Sequence, residues 1–171
     1  MTTRSIHSKI LASSLVSLLA GPAMLAAPAL LAGALTFMSP DIAEAATNAA
    51  CRIHAVEASK DGDGTIPKEL EFMADQLRAP MFAGYKGFRL LDAKDFQLEL
   101  NKVVDQKFKS GHNVELTLLG DKDGKLELHT KLKRSTTTLV DMDFGVGNNQ
   151  IMLIPVQRGD SAIIYAYQCK K

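Results

Sequence analysis

Asp61 and Asp63 alternate with Gly62 and Gly64 in the stretch SKDGDGTIPKEL, residues 59 to 70. Carboxylates two residues apart, set on a chain that can turn sharply, direct several oxygens into one concavity, which is how a hard cation such as calcium is held. The donors on offer are the carboxylates of Asp61, Asp63 and Glu69 and the carbonyl of Thr65. A second pair with chemistry of its own is Cys51 and Cys169, the only two cysteines in the 171 residues. Two thiols can form a disulfide, carry redox chemistry or contribute to a metal site. The last two roles require a C-x-x-C spacing or a cluster with histidine, and neither is present.

The acidic stretch resembles the loop of an EF-hand. With Ser59 as the first loop position, Asp61 and Asp63 fall at the third and fifth, Gly64 at the turning sixth and Ile66 at the eighth. The pattern fails at its ends. Ser59 replaces an aspartate, Leu70 replaces the bidentate glutamate of the twelfth position, and Glu69 comes one residue early. Losing the bidentate carboxylate removes charge and two ligand oxygens together. An ordinary turn explains the same residues, since Asp bonds to nearby backbone N–H groups and Gly supplies positive φ. A tight turn is therefore the leading expectation, no cofactor is required, and a calcium-stabilised module is the alternative.

Other residues offer less. His54, His112 and His129 fall in different elements without ligand spacing, and His129 sits on the polar face of its strand. Asp141 and Asp143 share a strand face, where solvated carboxylates are the ordinary case. No nucleophile elbow, H-E-x-x-H helix or glycine-rich phosphate loop occurs. The tripeptide Arg158–Gly159–Asp160 lies where a hairpin needs a Gly-containing turn, so a cell-adhesion role gains little from it. An enzyme is the least favoured reading.

These residues sit in a chain whose first third differs from the rest. Arg4 and Lys9 precede an apolar run from Ile10 to about Met38, followed by Pro40 and the small-x-small pattern Ala43–Glu44–Ala45. That is the layout of a secretory signal peptide over residues 1–45, cut after Ala45. The run is also long enough for a retained membrane anchor, but Gly21, Pro22 and Pro28 suit a lone spanning helix poorly. Cys51 lacks the upstream leucine-type residue of a lipidated cysteine, and a single Arg gives no twin-arginine signal. Cleavage removes Arg4, Lys9, Asp41 and Glu44, so the net charge of +1 is unchanged. A near-neutral chain without a basic stripe lacks the footprint of nucleic-acid binding.

Removing 45 of 171 residues leaves 126, enough for one domain, residues 46–171. Export to the periplasm or the medium favours pairing of Cys51 with Cys169. Such a bridge would close nearly the whole domain, worth about 4 to 5 kcal/mol in the chain-entropy model.

Positioning falls to one helix and a series of strands. Pro67 suits the first helical residue, Ile66, Leu70, Met73 and Leu77 recur at helical spacing, and Pro80 ends the run. The spacing predicts an amphipathic helix of about three turns. CRIHAVEA reads as a first strand, and from Tyr85 onward the period is two: FQLEL, VELTL and KLELHTKLK alternate apolar with polar residues. TTTLVDMDF, IMLIPV and AIIYAYQC complete a meander. The expected fold is α+β, with one N-terminal helix on a curved, mainly antiparallel sheet. If Cys51 and Cys169 lie on neighbouring strands, that sheet is either a closed barrel or one with its first strand inserted centrally.

The last two strands are apolar on both faces, which requires cover on both sides. Met152, Ile154, Ile164 and Ala166 are thereby the candidate interaction surface, for a protein or a small apolar ligand, unless a second layer covers them. The function expected is a non-catalytic exported binding or structural module, with no membrane contact after cleavage.

Overall fold

The computed structural model describes residues 46–171. The predicted signal peptide lies outside the described residues. Eight antiparallel strands make up most of the fold: β1 (Asn48–Ser59), β2 (Gly87–Glu99), β3 (Val103–Lys107), β4 (Asn113–Lys122), β5 (Lys125–Arg134), β6 (Thr137–Gly147), β7 (Ile151–Arg158) and β8 (Ser161–Lys170). They form two four-stranded sheets, ordered β2-β1-β8-β7 and β3-β4-β5-β6.

This architecture corrects the α+β expectation in two respects. The first concerns the helix. Between β1 and β2 the chain makes a 3-10 stretch, Lys68–Met73, that runs into one α turn, α1 (Ala74–Leu77), and a further 3-10 turn at Pro80–Phe82. Pro67 and Pro80 bracket too few residues for a stable α-helix, and neither start has a side-chain cap. Residues three apart eclipse one another in a 3-10 helix, so Leu70 and Met73 can both face the sheet, and α1 swings Leu77 to the same side. The apolar positions read from the sequence are the buried ones; the regular three-turn helix is absent.

The second correction concerns the sheet, which is two sheets. The ladder stops between β2 and β3 and between β6 and β7. At each stop an asparagine adopts the left-handed conformation, Asn101 with φ 60° and Asn149 with φ 59°. Asn tolerates that region better than other residues with a Cβ, and it redirects the chain from one layer to the other. Strand order nevertheless follows a meander wound back on itself, with β1 central in its sheet between β2 and β8. The gap between β2 and β3 is spanned by other bonds: Asn101 N–H donates to the Leu118 carbonyl at 2.8 Å, and Gln106 Nε2 donates to the Asp95 carbonyl at 2.6 Å.

Alternation along the strands builds the core between the sheets. Val114, Leu116, Leu118, Leu126, Leu128 and Leu132 face inward from one layer, and Ile53, Ala55, Phe96, Leu98, Tyr165 and Tyr167 from the other. Each large side chain fully buried there stabilises by about 1.5 to 3 kcal/mol. A second core lies on the opposite face of the β1–β8 sheet, where Val56, Ala58, Ile164 and Ala166 meet Leu70, Met73, Leu77 and Phe82. The central strands β1 and β8 are therefore covered on both sides, which is why their sequences lack simple alternation.

Cys51 and Cys169 are directly opposed in the β1–β8 register and joined by a buried disulfide, their Cα atoms 4.1 Å apart. Of the two arrangements that would bring them together, the structure adopts the sheet with its first strand central.

Candidate functional site

The acidic loop is a hydrogen-bonded turn. Asp63 Oδ1 accepts from the Thr65 N–H at 2.8 Å, a bond that lowers the Asp63 carboxyl from its ordinary pKa. Ser59 Oγ donates to the Asp61 carbonyl, Gly64 N–H donates to the Lys86 carbonyl and Lys86 N–H donates to the Ser59 carbonyl. The loop thus lies backbone to backbone against the start of β2. Gly62 holds φ at 141°, and a Cβ there would come 2.5 Å from the Lys86 carbonyl oxygen. Asp61, Asp63, Thr65 and Glu69 are all exposed. Among the described residues, no group of three or more His, Cys, Asp or Glu side chains is gathered so as to hold a metal ion.

The four residues of the candidate interaction surface divide between two faces. Met152 and Ile154 stand opposite Tyr167 and Tyr165 and turn toward the core between the sheets. Ile164 and Ala166 lie on the other face, beneath the helical segment. Ile154, Ile164 and Ala166 are buried and Met152 is partly so. Residues that adjoin in sequence alternate in space, and the second layer and the helical segment supply their cover.

Two other groupings are structural in character. Asp141 and Asp143 flank His129 across the β5–β6 pair, with Asp143 Oδ1 2.7 Å from Nδ1 and Asp141 Oδ1 3.3 Å from Nε2, while Lys131 reaches Asp141 at 2.9 Å. The imidazole is thus held in an exposed hydrogen-bonded and ion-paired group on the face of the sheet. Arg158–Asp160 forms the β7–β8 turn as expected; Gly159 has φ 63°, and Asp160 is paired with Lys60 at 2.7 Å. His54 differs. It is buried beside Phe72, 4.7 Å between ring centroids, and its Nδ1 has no hydrogen-bond partner. Burial first, and the charge of Arg52 second, lower its pKa.

The arrangement that sequence reasoning missed lies where the β3–β4 turn, the end of β5 and strand β8 converge. Phe108, Lys109, Ser110, Gly111 and His112 form a tight turn closed by the Phe108 N–H donating to the His112 carbonyl, with Gly111 at φ 87°. His112 is fully buried. Arg134 donates to His112 Nε2 from Nε at 3.2 Å and from Nη2 at 3.0 Å. A guanidinium has donors only, so Nε2 must present its lone pair, and the proton of neutral His112 resides on Nδ1. That N–H donates to Tyr165 Oη at 2.8 Å, and Tyr165 in turn donates to Ser110 Oγ at 2.7 Å. Phe108 meets Tyr165 edge to face at 5.5 Å and fixes the ring.

The protons on His112 Nδ1 and Tyr165 Oη therefore have assigned places. Desolvation, then Arg134 and Arg158, lower the His112 pKa and keep it neutral. Burial pushes the Tyr165 phenol up to about 12. Tyr167, two residues on, is raised further by burial and bonds to Thr130 Oγ1 at 2.9 Å, whose hydroxyl donates to the Glu115 carbonyl. Neither a poised base nor a low-pKa nucleophile results; the chain orients groups and ties β8 to the facing sheet. One signal was available in the sequence. Tyr165 and Tyr167 occupy inward positions of an apolar strand, and a buried tyrosine needs a partner for its hydroxyl.

Compared with protein-family models, curated proteins and solved structures, the chain matches none. Its fold and bonding define it as a disulfide-closed module of two antiparallel sheets.

Proposed function

We propose that the protein is an exported, non-catalytic module that acts by binding through its surface, on a scaffold locked by the Cys51–Cys169 bridge. The observation that carries this reading is the buried disulfide between directly paired first and last strands, a cross-link that persists in oxidising compartments. Two further features support it. The space between the sheets is occupied by large side chains, including Phe96, Phe108, Tyr165 and Tyr167, so the fold is suited to a scaffold more than to a carrier with an internal chamber. The polar groups with perturbed titration at the His112 cluster are bonded to one another, which suits preorganisation and not turnover.

Fractionation of cells making the full chain, with the mature N-terminus sequenced from each fraction, tests the reading. Protein that begins at Ala46 and resides outside the cytoplasm is the expected result. A full-length cytoplasmic protein would overturn it.

A further inference from the structure

Arg134 is exposed, yet its guanidinium is anchored to a buried group. Two of its donors, on Nε and Nη2, are spent on one buried acceptor, His112 Nε2. His112 is fixed by Tyr165, and Tyr165 by Ser110 and the edge of Phe108. An arginine held by a carboxylate carries its countercharge with it. Here the anchor is a neutral imidazole, which orients the positive charge without cancelling it. Among the described residues Arg134 forms no salt bridge. The carboxylate beside the β3–β4 turn, Asp92, accepts from the Lys109 N–H and is close to Lys94.

From this geometry we infer that Arg134, oriented by the buried His112–Tyr165–Ser110 chain, forms a binding point for an oxyanion, a carboxylate or a phosphate group, at the end of the module where the β3–β4 turn and the end of β5 come together. The remaining N–H groups of a guanidinium present a planar fork that fits two oxygens of such a group, and prior fixation lowers the ordering cost of forming those bonds. The neutral state of His112 is part of the device: a lone pair aimed at Arg134 sets the plane of the fork without cancelling its charge. This inference rests on the reading that the protein acts by binding. It is independent of export, since it is tested on folded, disulfide-bonded protein whatever its compartment.

The test is titration of the full protein with inorganic phosphate, sulfate, acetate and, at matched ionic strength, chloride, followed by amide NMR shifts of residues 108–112 and 134. Saturable shifts with the oxyanions and none with chloride are expected. Stronger binding of phosphate and sulfate than acetate would assign the group to a phosphate-type ligand, and the reverse order to a carboxylate; either order supports the site. Arg134→Gln should abolish saturation. Arg134→Lys, which keeps the charge and loses the fork, should weaken binding about tenfold or more. Tyr165→Phe leaves Arg134 in place but frees the histidine, and a several-fold loss of affinity is expected from orientation alone. Because Arg134 is exposed, its variants should fold even if the buried substitution does not. An equal response to chloride, or binding by Arg134→Gln at the affinity of the parent, would overturn the inference and leave the export reading untouched.

Discussion

Tyr165 is the residue on which the interior polar bonding depends. Removing its hydroxyl in Tyr165→Phe strands the His112 Nδ1–H and one bond of Ser110, and the expected cost is about 1 to 3 kcal/mol by chemical denaturation. Protonation disrupts the same contacts from the other side. A charged His112 would turn an N–H toward the Arg134 donors, with no acceptor in that direction. His54 and His112 both have pKa values below the ordinary histidine value, so the unfolded chain takes up protons at pH where the folded one does not. Their contribution to stability is present above about pH 6.5 and is lost as pH falls through the lowered folded values. Melting followed from pH 7.5 to 5 should show the midpoint dropping in acid, and His54→Phe should flatten part of that slope. An acid slope unchanged in that variant would remove His54 from the account. The cluster was hard to read from sequence because its partners stand far apart in the chain: His112 and Tyr165 are separated by 53 residues. Proximity of this kind is set by strand pairing, and a single histidine between Gly111 and Asn113 carries no motif.

The connection between β1 and β2 is where element-level reasoning is most exposed to test. Met73 is fully buried between the helical segment and the sheet, and Met73→Ala should destabilise by about 2 to 5 kcal/mol. Gly62→Ala meets both an unfavourable backbone conformation and the Lys86 carbonyl, with an expected cost of about 1 to 3 kcal/mol. Asp63→Ala should lower the melting midpoint slightly through its lost bond to Thr65, and neither the parent nor this variant should shift that midpoint between calcium and chelator. A calcium-dependent rise in the parent would establish the ion-binding alternative. Much at this scale was legible. The inward residues of FQLEL, VELTL and KLELHTKLK were evident because a period of two places alternate side chains on opposite faces. The split into two sheets was not legible. It depends on left-handed Asn101 and Asn149, and an asparagine in a loop serves many turns equally well. Periodicity overstates the helix for a related reason: it picks out Leu70, Met73 and Leu77 but does not distinguish α from 3-10 geometry over so short a span.

For the whole molecule, closure of the chain on itself is the dominant fact. Strands β1 and β8 pair along ten residues, from Ala50 with Lys170 to Ser59 with Ser161, and the bridge joins them across 118 residues of sequence. Cross-linking so long a loop restricts the unfolded state severely, and reduction should lower stability by about 2 to 5 kcal/mol without changing the strand register. The cysteine pairing was readable because two thiols allow a single connectivity. Their placement on neighbouring strands followed from their positions near the two ends of the meander. Non-reducing peptide mapping by mass spectrometry, on protein alkylated in its native state and taken from the compartment where it accumulates, addresses this claim most directly. A single cross-linked species containing Cys51 and Cys169, with no alkylated form of either, is the expected result. Recovery of both cysteines as alkylated thiols from folded protein would contradict the account of how this chain is closed and of where it works.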